Sequence, residues 1–477
     1  MAVTHRLVVL AAGLTLLVAG APAAAKPGYA PLNRATCDHG VQRSGPVRVC
    51  EDGTGVTGQE PMLVRNSRGT LFMGMAGNEG VVTQQGFLTG TAQSYLLRSR
   101  DDGRTWQRVR LPRGVNLSEG VPYVDAVTDR LWVTSTNLSV LPCGSPVVWS
   151  DDEGRTWRQA ERRPSCQPLG VGDWPKLFTG PYKGGRKGRA VYVCNYLPAI
   201  WVALQIGCWR SDDAGRHFRF LGPLPVKSLV CRADSVRAKS FHTIVHGTGQ
   251  VLDNGDVVIP VDLCGTIVAV RSTDHGETWR VSKAIGRAGS VANYLTGGGG
   301  SLAANIFMNM FFDQTLAQDD RGNLFLAWVR DGVRLAVSRD GGRTWRSLGR
   351  VSPRSVRGAF DVSVTARGRG EVALAWWGTG RLTDPLLGYG ERYRGWMTYA
   401  RDALARKPRF DSAPTSRAAA PPQITSTLGC CASTQMFIEY SGVTFTGPRD
   451  VRAAFVRFPK GATLPKLVLG RMKVRRR

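Results

Sequence analysis

The chain has 477 residues, with 63 lysines and arginines against 36 aspartates and glutamates, for a formal charge of +27. That excess favours polyanionic surroundings such as acidic glycans, teichoic-type polymers or anionic headgroups. Nucleic acid is excluded as the expected partner, because no helix-turn-helix, OB-like or RNP pattern occurs and the N-terminus argues for export.

Residues 1–25 read as a signal peptide. His5-Arg6 precede an apolar run from Leu7 to Ala19, and Ala23-Ala24-Ala25 offers a small-residue cleavage site. The run is short for a bilayer span and no second one follows, so no transmembrane segment is expected. The mature chain is expected outside the cell as a monomer, soluble or held to the envelope by charge.

Residues 26–58 form an extension closed by Cys37 and Cys50. The ten cysteines suit an oxidising compartment. Cys37/Cys50, Cys143/Cys166, Cys194/Cys208 and Cys231/Cys264 are the parsimonious local pairs, and the second-last residues of this set, Cys194 and Cys208, flank an apparent hairpin. Cys430 and Cys431 are adjacent, and because a vicinal bridge is strained each stays open to another partner. A zinc site is disfavoured, since neither a C-x-x-C pair nor clustered histidines occur; no metal and no cofactor are expected.

From residue 59 onward one octapeptide recurs. Ser99-Arg-Asp101-Asp-Gly103-Arg-Thr105-Trp106 is repeated as S-x-D-x-G-x-T-W at 150–157, 272–279 and 338–345. A weakened copy at 211–218 carries His217 for threonine and Phe218 for tryptophan. An eroded sixth copy begins at Ala400-Arg401-Asp402 and ends in Phe410. Successive serines lie 51, 61, 61 and 66 residues apart, and such a period marks a repeat architecture.

The octapeptide chemistry suits a tight turn between strands. Ser and Asp side chains bond nearby backbone N–H groups, and glycine supplies a positive φ. β-rich runs precede each copy, for example Thr266 to Arg271, and glycine turns join further strand pairs upstream. Each unit therefore predicts a four-stranded antiparallel sheet, and no window after the N-terminus has a helical period. Units are expected at 59–110, 121–160, 172–222, 239–284, 311–349 and 359–411. The fold class is all-β, a propeller of six or seven blades.

After 413–422, a linker by composition, strands are expected at 436–445 and 451–458. They need partners to protect their edges; a piece of the extension, such as Pro46 to Cys50, supplies one and closes the ring. The domain reading is thus a propeller over 59–458 and a basic tail over 459–477. Within the tail, Arg471 to Arg477 is expected as a solvated arm.

These octapeptides resemble the Asp boxes of the sialidase superfamily. The resemblance implies that they lie on the rim opposite the functional face. Two further stretches are similar to sialidases: His246 to Pro260, a G-x-G-x-x-L-x-N-G run ahead of a box, and Asp313 to Gly322 with Arg330 beyond it. By that resemblance Asp313 stands at the place of a catalytic glutamate and Arg330 at that of a substrate-clamping arginine. Tyr440-Ser441 resembles the dipeptide that carries the tyrosine nucleophile. Such an enzyme clamps a sugar carboxylate with arginines, attacks the anomeric carbon with tyrosine and protonates the leaving oxygen with a separate acid.

Glu60, Asp313 and Asp361 each precede a hairpin glycine (Gly69, Gly322, Gly370) by nine residues. Three carboxylates at one repeat position are candidates for the mouth of the central channel, or for contacts between blades. The chain also departs from the sialidase pattern. Gln59-Glu60-Pro61 stands where an Arg-Ile-Pro is expected, and 81–86 holds no acid, leaving Glu79 as a weak substitute. Arg357, Arg381 and Arg392 all compete for the third clamping position. The expected function is recognition of an extracellular glycan, with exo-sialidase-type hydrolysis through Tyr440 and Asp313. The alternative is a non-catalytic propeller that binds an envelope polymer or a protein.

Overall fold

The computed structural model describes residues 37, 39–76, 95–112, 115, 120–136, 144–164, 174–197, 205–226, 244–263, 265–288, 315–380, 393–417, 441–457 and 466–475. These residues form seven antiparallel sheets arranged as the blades of a propeller. A single 3-10 turn, Lys183–Gly185, is the only helical element among them. Blades 1 to 6 follow chain order at 59–110, 120–159, 176–223, 244–287, 316–350 and 358–414, each with its strands in the order of the sequence. The first strands contact one another from blade to blade and, through Gly442–Gly447 of blade 7, return to Gln59–Arg65 of blade 1. The ring is closed.

Blade 7 answers the choice between six and seven. Its first two strands are Gly442–Gly447 and Asp450–Arg457, its third is Lys466–Val474, and its fourth is Val47–Thr57 from the other end of the chain, with Gln42–Ser44 added outside. Lys466–Val474, expected as part of a solvated basic arm, is thus an inner member of the closing sheet. The reason is burial: Leu467, Leu469 and Met472 are fully buried, Met472 opposite Val49 and Leu469 opposite Asp52, and each such side chain is worth roughly 1.5–3 kcal/mol. Arg471 of this strand is neutralised by Asp52, and Arg457 of the second strand by Glu51.

The octapeptides join the third strand to the fourth in blades 1 to 5. In the first, Ser99 Oγ donates to Asp101 Oδ1 (2.8 Å) and accepts from Gly103 N–H (2.8 Å). Asp101 also accepts from Thr105 N–H (2.8 Å) and its hydroxyl (2.6 Å). The same four bonds recur at Asp152, Asp274 and Asp340. In the weakened copy the His217 ring stands in for the threonine hydroxyl, with Nδ1 2.6 Å from Asp213 Oδ2. In blade 6 the eroded copy has a different bond, Leu404 N–H donating to Asp402 (3.0 Å).

Every corner leans on the blade before it. A Cβ built on Gly103 would lie 2.2 Å from Leu469 of blade 7, and one on Gly154 would lie 2.4 Å from Val109 of blade 1. Gly215 meets Trp132 in the same way, Gly276 meets Leu221, and Gly342 meets Val258. Polar bonds reinforce the stacking. Glu153 of blade 2 accepts from Asn66, Arg68, Thr70 and Arg100 of blade 1. Burial alone would raise the Glu153 carboxyl, but the Thr70, Arg100, Asn66 and Arg68 bonds outweigh it and hold it at about 2.

Two disulfides are present among the described residues, Cys37–Cys50 and Cys194–Cys208, both as the local spacing predicts. The other three expectations involve residues outside the described set.

Candidate functional site

Antiparallel order puts the first-to-second turns and the octapeptide corners at one end of every blade. The second-to-third turns and the crossings between blades occupy the other end, where each first strand begins. Residues at the start of the first strands therefore ring the mouth of the channel on the face opposite the octapeptides.

Glu60 and Asp361 both sit there, in blades 1 and 6. Both are buried, and both adopt a left-handed backbone, φ 53° and 55°. Each lies at a register shift in its strand pair, between Gln59 and Met62 and between Phe360 and Ser363. Such a bulge aims a side chain away from the pleat, and left-handed φ at a non-glycine residue costs about 1–3 kcal/mol. The shared conformation supports the common repeat position read from the glycine spacing. Non-glycine residues give no sequence signal for it. Trp174, which begins blade 3, has the same sign of φ (50°) but is 3% exposed and packs edge-on to Tyr196 in the core.

Between those two carboxylate-bearing strands stands the start of blade 7. Ser441 Oγ donates to the Asp361 carbonyl (3.1 Å) and lies 2.9 Å from Ser363 Oγ, while Ser363 donates to the Ser441 carbonyl (2.5 Å). On its other side Gly442 abuts blade 1 so closely that a Cβ would lie 2.2 Å from Leu63 N. Ser441-Gly442 is thus wedged between the strands that carry Asp361 and Glu60. Tyr440 and Asp313 lie outside the described residues, as do Arg381 and Arg392. The serine pair is a part of the site that the sequence reading missed, because hydroxyl residues on separate blades carry no shared spacing.

Arg330 is exposed in the turn between the second and third strands of blade 5, held by its own N–H donating to the Gly332 carbonyl (2.8 Å). Arg357 is exposed just before the first strand of blade 6, on the same face. Arg350 is occupied structurally: its guanidinium donates to the Pro353 carbonyl (2.8 Å) and to that of Val356. Burial and the neighbouring Arg334 lower the Arg350 pKa. The junction of blades 5 and 6 is therefore basic beside the Asp361 mouth.

Two further titratable groups at this end are fully buried. His246 ends its strand in blade 4, and burial with the nearby Lys176 charge lowers its pKa to about 3, so the ring is neutral. Asp262, in the second strand of blade 4, has its carboxyl pushed up to about 7 by burial, against one stabilising bond from Gly265 N–H (2.6 Å). Among the described residues, the one grouping of metal-type ligands is Cys37, Cys50 and Asp52, whose two sulfurs are bonded to each other.

No family model matches the sequence, and no curated protein does. Solved structures with a similar fold include the Trypanosoma rangeli sialidase, at 14% identity over 87% of this chain with a TM-score of 0.38. This chain spans about half of that protein, 55%. The NanB sialidase from Streptococcus pneumoniae is 12% identical over 88% of this chain and 70% of its own, with a TM-score of 0.41. A protein of unknown function from Dyadobacter fermentans matches over 91% of this chain and 99% of its own at 14% identity and a TM-score of 0.35. All three TM-scores lie below 0.5, and the propeller assignment rests on the sheets described above.

Proposed function

We propose that this protein is a secreted Asp-box propeller of sialidase type that recognises an extracellular glycan at the mouth formed by blades 6, 7 and 1. The octapeptides are its Asp boxes, on the opposite rim. One observation carries the reading: the Ser441-Gly442 wedge, directly after Tyr440 in the chain, is bonded to Asp361 on one side and packed beside the Glu60 strand on the other.

In this reading Tyr440 attacks the anomeric carbon as the glycosidic C–O bond breaks, and a carboxylate takes the phenol proton. A separate acid protonates the departing oxygen, and water then hydrolyses the tyrosyl–sugar bond. Asp313 is the base that the sialidase resemblance supplies, and Asp361 is the carboxylate beside the wedge. Arg330 and Arg357 provide guanidiniums for an anionic substituent, and bidentate bonding to a carboxylate is what that group does best. Gln59 stands at the place of the first clamping arginine, and the Glu60 carboxylate beside it favours a second reading, binding without turnover, because it opposes an anionic sugar.

Purified protein incubated with the 4-methylumbelliferyl sialoside, beside Tyr440→Phe, separates these. Release of the fluorophore that falls at least a hundredfold in the variant supports hydrolysis. Binding of sialyllactose by calorimetry with no release, unchanged in Tyr440→Phe, supports recognition alone. Neither binding nor release across neutral and acidic glycans overturns both.

A further inference from the structure

The charge on the octapeptide rim is not spread evenly. In the corner of blade 2, Asp151, Asp152 and Glu153 face a single cation, Arg155. Blade 3 has Asp212 and Asp213 against Arg216, and blade 4 has Asp274 and Glu277 with no lysine or arginine in its octapeptide. In blade 5 the balance reverses: the fourth position, Asp102 and Glu153 in the first two corners, is Gly341, and Arg339 and Arg343 outnumber Asp340. In blade 6 Arg401, Arg406 and Lys407 outnumber Asp402.

Ion pairs that involve the octapeptide carboxylates gather in blades 1 to 4, although Arg104, Arg155 and Arg216 there are exposed without an ion-pair partner among the described residues. Arg100 pairs with Glu153, Arg130 with Asp151, and Arg210 and Arg219 with Glu277, each across or within the corners of blades 1 to 4. Around the corners of blades 5 and 6, Arg280, Arg339, Arg343, Arg346 and Arg406 are all exposed, and none has an ion-pair partner among the described residues. Arg339 donates to the Leu404 carbonyl (2.8 Å), which fixes its direction without cancelling its charge.

These arginines line two clefts. One, of about 380 Å³ between the corners of blades 4 and 5, takes Arg280 and Arg343. The other, of about 610 Å³ between the corners of blades 5 and 6, takes Arg339, Arg346 and Arg406 beside the Trp345 ring. The blade 5 octapeptide is the wall they share, since Gly342 and Arg343 line the first and Thr344 and Trp345 the second. Guanidinium forks match tetrahedral oxyanions. Re-entrant clefts on either side of one ridge suit a thread that crosses the ridge and places anions in both, and a flat lipid surface does not enter them.

We infer that the rim of blades 4 to 6 is a docking site for a linear phosphate-bearing polymer, one chain spanning both clefts. The site lies on the face opposite the glycan mouth and does not rest on the reading given for that mouth. A protein anchored this way keeps its mouth turned away from the polymer.

The test uses the full-length mature protein and long-chain polyphosphate, with affinity measured by calorimetry at two salt concentrations. Arg339→Glu/Arg343→Glu/Arg406→Glu is compared with Arg104→Glu/Arg155→Glu/Arg216→Glu, the same charge change at exposed positions of the corners of blades 1 to 3. The expected result is a loss of about tenfold to a hundredfold in the first variant and less than about threefold in the second, with the salt dependence flattened only in the first. Orthophosphate at equal phosphate concentration fails to compete. Equal losses in both variants mean that net charge alone acts, and overturn the proposal. So does no binding by the parent protein, or tighter binding to phosphatidylglycerol vesicles than to polyphosphate. Circular dichroism of both variants shows whether each is folded. Should the first variant unfold, single Arg343→Gln and Arg406→Gln replacements carry the test, each expected to weaken binding about threefold or more, and no effect from either overturns it.

Discussion

Replacing Glu153 by glutamine isolates the polar joint between blades 1 and 2. The carboxylate accepts from Asn66, Thr70, Arg68 and Arg100, and they hold its pKa at about 2 against 4.5 for a free glutamate. Taken at face value that difference is worth ~3 kcal/mol. Arg68 and Arg100 are about half exposed, at 52% and 48%, so solvent screens their share. We expect a loss of about 1–2 kcal/mol at pH 7. Because the folded pKa is depressed, this stability is complete above 4.5 and disappears as the pH falls from 4.5 through about 2. For a chain of this size the Tm of Glu153→Gln should lie about 1–2 °C below that of the parent at pH 7. Scanning calorimetry on both proteins at pH 7 and near pH 2.5 reads this directly. A gap of the same size at both pH values refutes the electrostatic account, and no gap at pH 7 refutes the joint.

Asp262→Asn should act in the opposite sense. The fold raises the Asp262 carboxyl to about 7, so its stabilising protonated form is fully present below 3.8 and lost as the pH rises through 7. The variant should match the parent at pH 4 and exceed it by on the order of 3 kcal/mol at pH 8, as followed by urea unfolding. Gly442→Ala places a methyl group against the Leu63 backbone, and should lower stability by about 1–3 kcal/mol or more while reducing glycan binding at the mouth. Removing residues 466–477 takes away the third strand of blade 7 and leaves Val47–Thr57 unpaired on that side. The truncated protein should lose its cooperative thermal transition and bind ANS, and an unchanged transition would show that the ring holds without that strand.

Much of the fold was legible because its corners are written in side chains that bond their own backbone. Ser, Asp, Gly and Thr at fixed offsets reproduce the same four bonds wherever they occur, and even His217 keeps the geometry. The seventh blade was harder to read for a physical reason. Its third and fourth strands are separate ends of the chain, so no octapeptide can join them. The repeat therefore counts six corners in a structure of seven sheets. Lys466–Val474 was misread because its two lysines and one arginine stand out in a charge reading, while Leu467, Val468, Leu469, Met472 and Val474 are buried. In the site, the glycine spacing put Glu60 and Asp361 in register, but nothing in the residues signalled their left-handed backbone or the bonds among Ser363, Ser441 and Asp361. Arg330 stands exposed on the mouth face.

The pairing of Val47–Thr57 with Lys466–Val474 sets a timetable for biosynthesis. Just over four hundred residues, 58–465, must be made between the two strands that bolt the circle shut. A nascent chain can stack its early sheets side by side, but an arc with two raw ends is what the ribosome releases until the final strand arrives. Chaperones acting on this protein should engage those ends, and nonsense mutations near the 3′ end of the coding sequence should be as damaging as those near its middle.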